Sequence, residues 1–158
     1  LALAYAIDKD GINVGVFNGN GTAVKDFANA TYPDYNSEWD SEDYYDYDVD
    51  KAKEYLEQSN YDGSTLKLEY INSGMNEMIC QMLQAYWGQI GVTVELVGYD
   101  QMMGQQEQYN ADGFDILLKT TGSTDYIVNQ WSFVGIREIM SLLPAVLQTL
   151  PRMTSFRA

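Results

Sequence analysis

The sequence predicts an α/β fold, a mixed sheet flanked by helices, and two stretches carry the prediction. Between residues 66 and 96 an alternating apolar run, a helical apolar face and a second alternating run follow one another, the signature of a βαβ unit. A further helical run and a third apolar strand at residues 114–118 continue the same order. Size agrees: 158 residues with 46% apolar content are enough chain to bury a core.

Element by element, the reading starts with Leu1, Leu3, Ala4, Ile7, Ile12, Val16 and Phe17, which recur near helical spacing and predict one opening helix. No Ser, Thr, Asp or Asn precedes the first of them as a cap, so the chain reads as a piece cut from a longer parent. Asn18-Gly19-Asn20-Gly21 then stops the helix in a turn that accepts positive φ. No strand precedes this turn and no Gly-Lys-Ser/Thr follows, so it is not a phosphate loop. Residues 22–47 are polar, aromatic and acidic without period and predict a long surface excursion.

Residues 51–57 predict a short helix, with Asp48 as its cap and Asp50 favourable toward the helix dipole. The acidic spacing was weighed against calcium. Asp46, Asp48, Asp50 and Glu57 occupy ligand places of an EF-hand loop, but Lys51 stands where the loop needs glycine and Lys53 where it needs an apolar residue. Two ammonium groups inside a cation cage repel the cation, so the cap is the preferred reading and an acidic calcium-binding domain the alternative.

Leu66, Leu68 and Tyr70 alternate with Lys67 and Glu69 and predict a half-buried strand. Ser73 is placed to cap the next helix, whose apolar face is read as Met75, Met78, Ile79, Met82, Leu83, Tyr86 and Ile90. Gly91 is placed to end it in the left-handed conformation. Val92, Val94 and Leu96 form the second strand, parallel to the first if the crossover is right-handed. Residues 99–109 predict another helix, Asn110-Ala111-Asp112-Gly113 a turn, and residues 114–118 the third strand.

Bulk chemistry excludes several classes. A formal charge of −14 opposes nucleic acid and anionic membrane as partners. No run reaches the roughly 18 apolar residues of a membrane span. Histidine is absent and Cys80 is the one cysteine, so the usual base near neutral pH, an internal disulfide and a thiolate zinc site are all missing. Cys80 lies within a helical apolar pattern and is read as a buried structural thiol. Asp112 and Asp115 are the nearest approach to an acid–base pair, but they fall on a turn and a strand. The sequence therefore predicts no enzyme, no cofactor and no metal site.

Several segments taken together resemble bacterial extracellular solute-binding proteins of peptide and nickel ABC transporters, the oligopeptide and dipeptide-binding type, and only the second lobe of that family. The segments are the opening Ala2-Leu3-Ala4-Tyr5-Ala6-Ile7-Asp8-Lys9 with its glycine-rich turn, and Asp48-Val-Asp-Lys-Ala52-Lys53-Glu-Tyr55-Leu56. Ile90-Gly-Val-Thr-Val94-Glu-Leu96 and Gly113-Phe-Asp115-Ile116 complete the set. The resemblance covers residues 1–133 and implies a periplasmic-binding-protein-like lobe. It further implies half of a hinge-closing cleft for a peptide or other small solute, held weakly by one lobe alone. An ABC permease would be the partner of the intact parent, placed outside the cell as an anchored lipoprotein or in the periplasm.

The same resemblance locates ligand contacts after the third strand, at Gly122, Ser123, Thr124, Asp125 and Tyr126. In peptide-binding relatives an aspartate followed by an aromatic at this place meets the peptide α-amino group, and Asp125-Tyr126 matches that pair. An ammonium entering a partly dry cleft needs such a carboxylate. An aromatic three residues earlier is usual, and here Gly122 stands instead. A second reading, compatible with the first, makes Asp125 the cap of a helix over residues 126–133.

The tail differs from everything before it. All six lysines lie before residue 120, all three arginines after 136, and Glu138 is the one acidic residue beyond Phe133. Residues 134–158 are therefore expected to be atypical of the family's lobe. Ile136, Ile139, Met140, Leu143, Leu147 and Leu150 offer an apolar helical face that Pro144 interrupts. A self-associating interaction module, with a homo-oligomer formed through this tail, is the alternative function.

Overall fold

The computed structural model describes residues 1–24, 31–41, 45–107 and 113–120. Two compact units divide the chain: Leu1–Asp26 with Glu38–Thr121, and Phe27–Ser37 with Gly122–Ala158. The sheet, its helices and the cavity discussed below belong to the first. In the second, the Tyr35 N–H donates to the Tyr32 carbonyl at 3.1 Å. The junction at residues 133–134 and the tail lie outside the described residues.

The expected single opening helix is two helices, α1 (Ala2–Tyr5) and α2 (Lys9–Phe17). The break comes from Asp8, whose carboxylate accepts from the Gly11 N–H at 2.8 Å while its own backbone is extended. A side chain that satisfies the backbone locally starts a new helix instead of continuing the old one. The predicted stop is present: Asn18 has φ of 53° and Gly19 of 74°. The Asn13 side chain bonds both the N–H and the carbonyl of Gly21 and pins the turn.

A 3-10 turn, Ser37–Ser41, precedes α3 (Val49–Glu57). Asp48 caps α3 as expected, accepting from the Lys51 N–H at 2.9 Å. Tyr5 of α1 stacks on Tyr55 of α3 with centroids 5.4 Å apart, and the Lys51 ammonium lies 4.2 Å from the Tyr5 ring centroid. Helix α3 is thus held to α1 by aromatic and cation–π contacts.

Three strands follow: β1 (Leu66–Ile71), β2 (Val94–Tyr99) and β3 (Ile116–Leu118), with α4 (Gly74–Gln89) and α5 (Gln101–Glu107) between them. The order is β2-β1-β3 and both pairings are parallel, Leu68 standing opposite Leu96 and Ile116. This is the predicted α/β architecture; the antiparallel strand of a mixed sheet is not among the described residues. Asp115 fastens the beginning of β3 to β1, accepting from the Lys67 N–H at 2.7 Å and donating its own N–H to the Lys67 carbonyl.

The two helices cover opposite faces. The charges of Glu77 and Cys80 on α4 act on Tyr70, whereas its neighbour Ile71, pointing the other way, meets Gly104 of α5. The reversal of direction explains this: the chain steps from β1 to β2, then crosses back over β1 to β3. Two right-handed crossovers in opposite directions put their helices on opposite faces. Gly104 makes the α5 approach possible, since a Cβ there would stand 2.5 Å from Ile71 Cγ1.

Ser73 caps α4 by accepting from the Asn76 N–H, and Gly91 ends it at φ of 90°. The buried stripe, however, is Asn76, Cys80, Leu83, Trp87 and Ile90. It is rotated from the expected one, and Met75 and Met78 are each 47% exposed. Asn76 accounts for the rotation, because its amide donates to the Ile71 carbonyl at 2.9 Å and draws that edge of the helix onto the sheet. The Trp87 indole donates to the Leu3 carbonyl at 2.9 Å and joins α4 to α1. Cys80 is fully buried as expected, and burial pushes its thiol up to about 12.

Candidate functional site

Parallel strands in an open sheet end together, and the side chains just beyond their carboxyl ends are free to face a ligand. Here that end opens into a cavity of about 550 Å³. Its floor is the end of β1 and the loop to α4, with Glu69, Asn72 and Ser73. Its walls are Tyr99 at the end of β2, Gln101, Gly104, Gln105 and Glu107 of α5, the first turn of α4, and Leu118, Lys119 and Thr120 at the end of β3. Chain reversal at β1 sends the loops after β1 and β2 to opposite sides, which is what opens a crevice.

The local sequence places each group. Asp100 caps α5 by accepting from the Met102 and Met103 N–H groups, both at 2.9 Å, so the helix begins immediately beside Tyr99. Asn72 continues the β1–β2 ladder by donating its N–H to the Tyr99 carbonyl at 2.7 Å, which holds the two loops in register at the cavity floor.

The strand expected to be half-buried is buried on both faces at Glu69, which is 1% exposed. The alternation of residues 66–71 suggests one wet face, but a central strand of a parallel sheet is covered on both. Its Oε1 accepts from the Tyr99 hydroxyl at 3.2 Å and lies 3.0 Å from the Lys67 ammonium. The Lys67 ammonium also donates to the Gly113 carbonyl at 2.8 Å. This hydrogen-bonded pairing raises the Lys67 pKa, and burial followed by the Glu69 charge raises that of Tyr99. Both therefore keep their protons beside the carboxylate. Two opposite charges two residues apart, on the same face of a strand flanked by two others, are the signal that would have found it.

The predicted contacts Gly122, Ser123, Thr124, Asp125 and Tyr126 lie outside the described residues. In sequence they begin two residues after Thr120. Of the paired carboxylates considered for catalysis, Asp112 also lies outside, and Asp115 is engaged with the Lys67 backbone. Asp48, central to the calcium alternative, is engaged as a helix cap, and among the described residues no group of three His, Cys, Asp or Glu could hold a metal ion. No described helix is long and apolar enough to cross a membrane.

Comparison with known proteins follows the same line. A family profile described as bacterial extracellular solute-binding proteins, family 5, middle region, matches residues 1–136. The dipeptide-binding protein of Escherichia coli K12 is 33% identical over 106 residues, 63% of this chain and 19% of that protein. Heme-binding protein A of Haemophilus influenzae is 30% identical over 105 residues, again 63% of this chain and 19% of that protein. The chain thus spans 19% of the length of these curated relatives. Among solved structures, a periplasmic oligopeptide-binding protein of an ABC transporter from Thermotoga maritima superposes with a TM-score of 0.69. It is 22% identical, with 83% of this chain and 28% of that one covered, a likeness of fold.

Proposed function

Because the chain belongs to the family 5 bacterial extracellular solute-binding proteins, we propose that it is one lobe of an ABC transporter's substrate-binding component for oligopeptide or dipeptide uptake. It contributes half of a cleft that closes by a hinge around the solute. The observation that carries the ligand class is the 33% identity to a dipeptide-binding protein. The cavity at the carboxyl ends of three parallel strands supports it, being where this architecture presents ligands.

In this reading Asp125 is the partner of the peptide α-ammonium and Tyr126 packs beside it, with Gly122, Ser123 and Thr124 forming the rest of the contact loop. The permease is the partner of the whole protein, which works outside the cell, lipid-anchored or periplasmic. The role is binding, not catalysis.

One lobe makes half of the contacts, so the chain binds di- to hexapeptides with millimolar dissociation constants, measured by ligand-observed NMR. Micromolar affinity contradicts the half-cleft. Absence of any saturable response contradicts the peptide assignment. Asp125→Asn weakens peptides with a free amino terminus and leaves N-acetylated peptides unchanged; an equal effect on both removes Asp125 from the ligand.

A further inference from the structure

A carboxylate in the middle of a central strand is out of place unless something holds it. Glu69 is held on one side only. Its Oε1 receives the Tyr99 hydroxyl and the Lys67 ammonium, whereas its Oε2 is buried and receives no hydrogen bond. An ionised carboxylate has about four acceptor sites, and an idle buried acceptor calls for an explanation.

We propose that Glu69 is a ligand-binding residue whose Oε2 receives a cationic nitrogen of the solute, the ammonium or guanidinium of a basic peptide side chain, within the cavity at the carboxyl ends of the strands. The assignment rests on the reading of that cavity as part of a peptide cleft. Glu69 and Tyr99 line the cavity, whereas Lys67, the cation already in place, does not. A second cation approaching from the cavity therefore meets the oxygen that Lys67 leaves unused. The final torsion of a glutamate is broad, so a small rotation that turns Oε2 to the cavity is open to the carboxylate.

A cation suits this carboxylate better than a neutral donor. The described lining carries Glu69, Glu107 and Lys119, and the Lys67 ammonium lies behind it on Glu69 Oε1, so the charges balance and the preference comes from the strength of the bond itself. A bond between two charged groups is stronger than one to a neutral amide, and a site sheltered from water strengthens it further.

The test compares Ala-Lys-Ala and Ala-Arg-Ala with the neutral Ala-norleucine-Ala by ¹⁵N-detected titration of the chain and its Glu69→Gln variant. The chain prefers the basic peptides by about tenfold, and Glu69→Gln removes the preference while leaving the norleucine peptide within about twofold. A preference that survives in Glu69→Gln, or none in the unmodified chain, overturns the assignment while the peptide cleft stands. No binding of any of the three peptides overturns both. The unmodified chain supplies a second readout that needs no variant: the Glu69 carboxyl ¹³C resonance shifts with the basic peptides and stays in place with norleucine. An unchanged resonance under saturating Ala-Lys-Ala overturns the proposal.

Discussion

The two faces of the sheet differ in what they ask of their side chains. The face under α4 is built from Leu68, Tyr70, Cys80, Leu83 and Trp87, all buried, and its polar atoms are few and satisfied. The face under α5 carries Lys67, Glu69 and Tyr99 as a linked polar set, and it opens at one end into the cavity. Apolar burial is non-directional and stabilises whatever packs well. A charged set built on a buried carboxylate stabilises little and demands particular geometry. The first face holds the fold together, and the second, with Tyr70 and the first turn of α4, lines the cavity.

The largest effect that breaks this contrast is on the α4 face. Trp87→Ala removes a buried ring and the indole bond to Leu3 and costs about 3–5 kcal/mol, read as a drop in the urea midpoint at unchanged slope. A loss below about 1 kcal/mol would deny α4 its role in the core.

Cys80 gives the next effect. Burial holds its folded-state pKa near 12, above the ordinary thiol value of 9.0. The unfolded chain therefore loses the proton first, so the thiol's contribution is complete below about pH 9 and is lost as pH rises toward 12. The difference in stability between the chain and Cys80→Ala shrinks across that window by up to roughly 4 kcal/mol. A difference independent of pH from 8 to 11 would contradict the dry α4 face.

On the α5 face, Gly104→Ala pushes a methyl group into Ile71 and costs about 1–3 kcal/mol, and it weakens peptide binding by moving the cavity wall. Unchanged stability together with unchanged peptide affinity would show that α5 does not set the wall. Away from both faces, Asp48→Ala removes one cap and costs about 1 kcal/mol, read as the melting temperature, with no change in peptide affinity.

Local chemistry made much of this architecture legible. Ser73, Asp48 and Gly91 act within a few residues of themselves, so their roles as caps and stop could be read from neighbours alone. The βαβ order was legible for the same reason. What escaped had two sources, a local competitor and partners on other elements. Asp8 divided the first helix because a local carboxylate bond outcompeted a good apolar period. Asn76 turned α4 because of a carbonyl in β1, and Met75 and Met78 were left outside. The burial of Glu69 escaped because alternation reports a strand's own pattern, whereas burial depends on the strands on either side of it. Of the candidate site, the strand ends were foreseen through the βαβ order, and Glu69 and Tyr99 were not.

The division between a structural face and a recognition end is tested most directly by mapping peptide contacts. Ala-Lys-Ala added to the ¹⁵N-labelled chain is predicted to shift the amides of Asn72, Tyr99, Lys119 and Thr120, at the carboxyl ends of the strands. The amides of Leu66 and Val94 at the opposite end, and those of Leu83 and Trp87, stay in place. Shifts centred on α4 or on the amino ends of the strands would contradict the account.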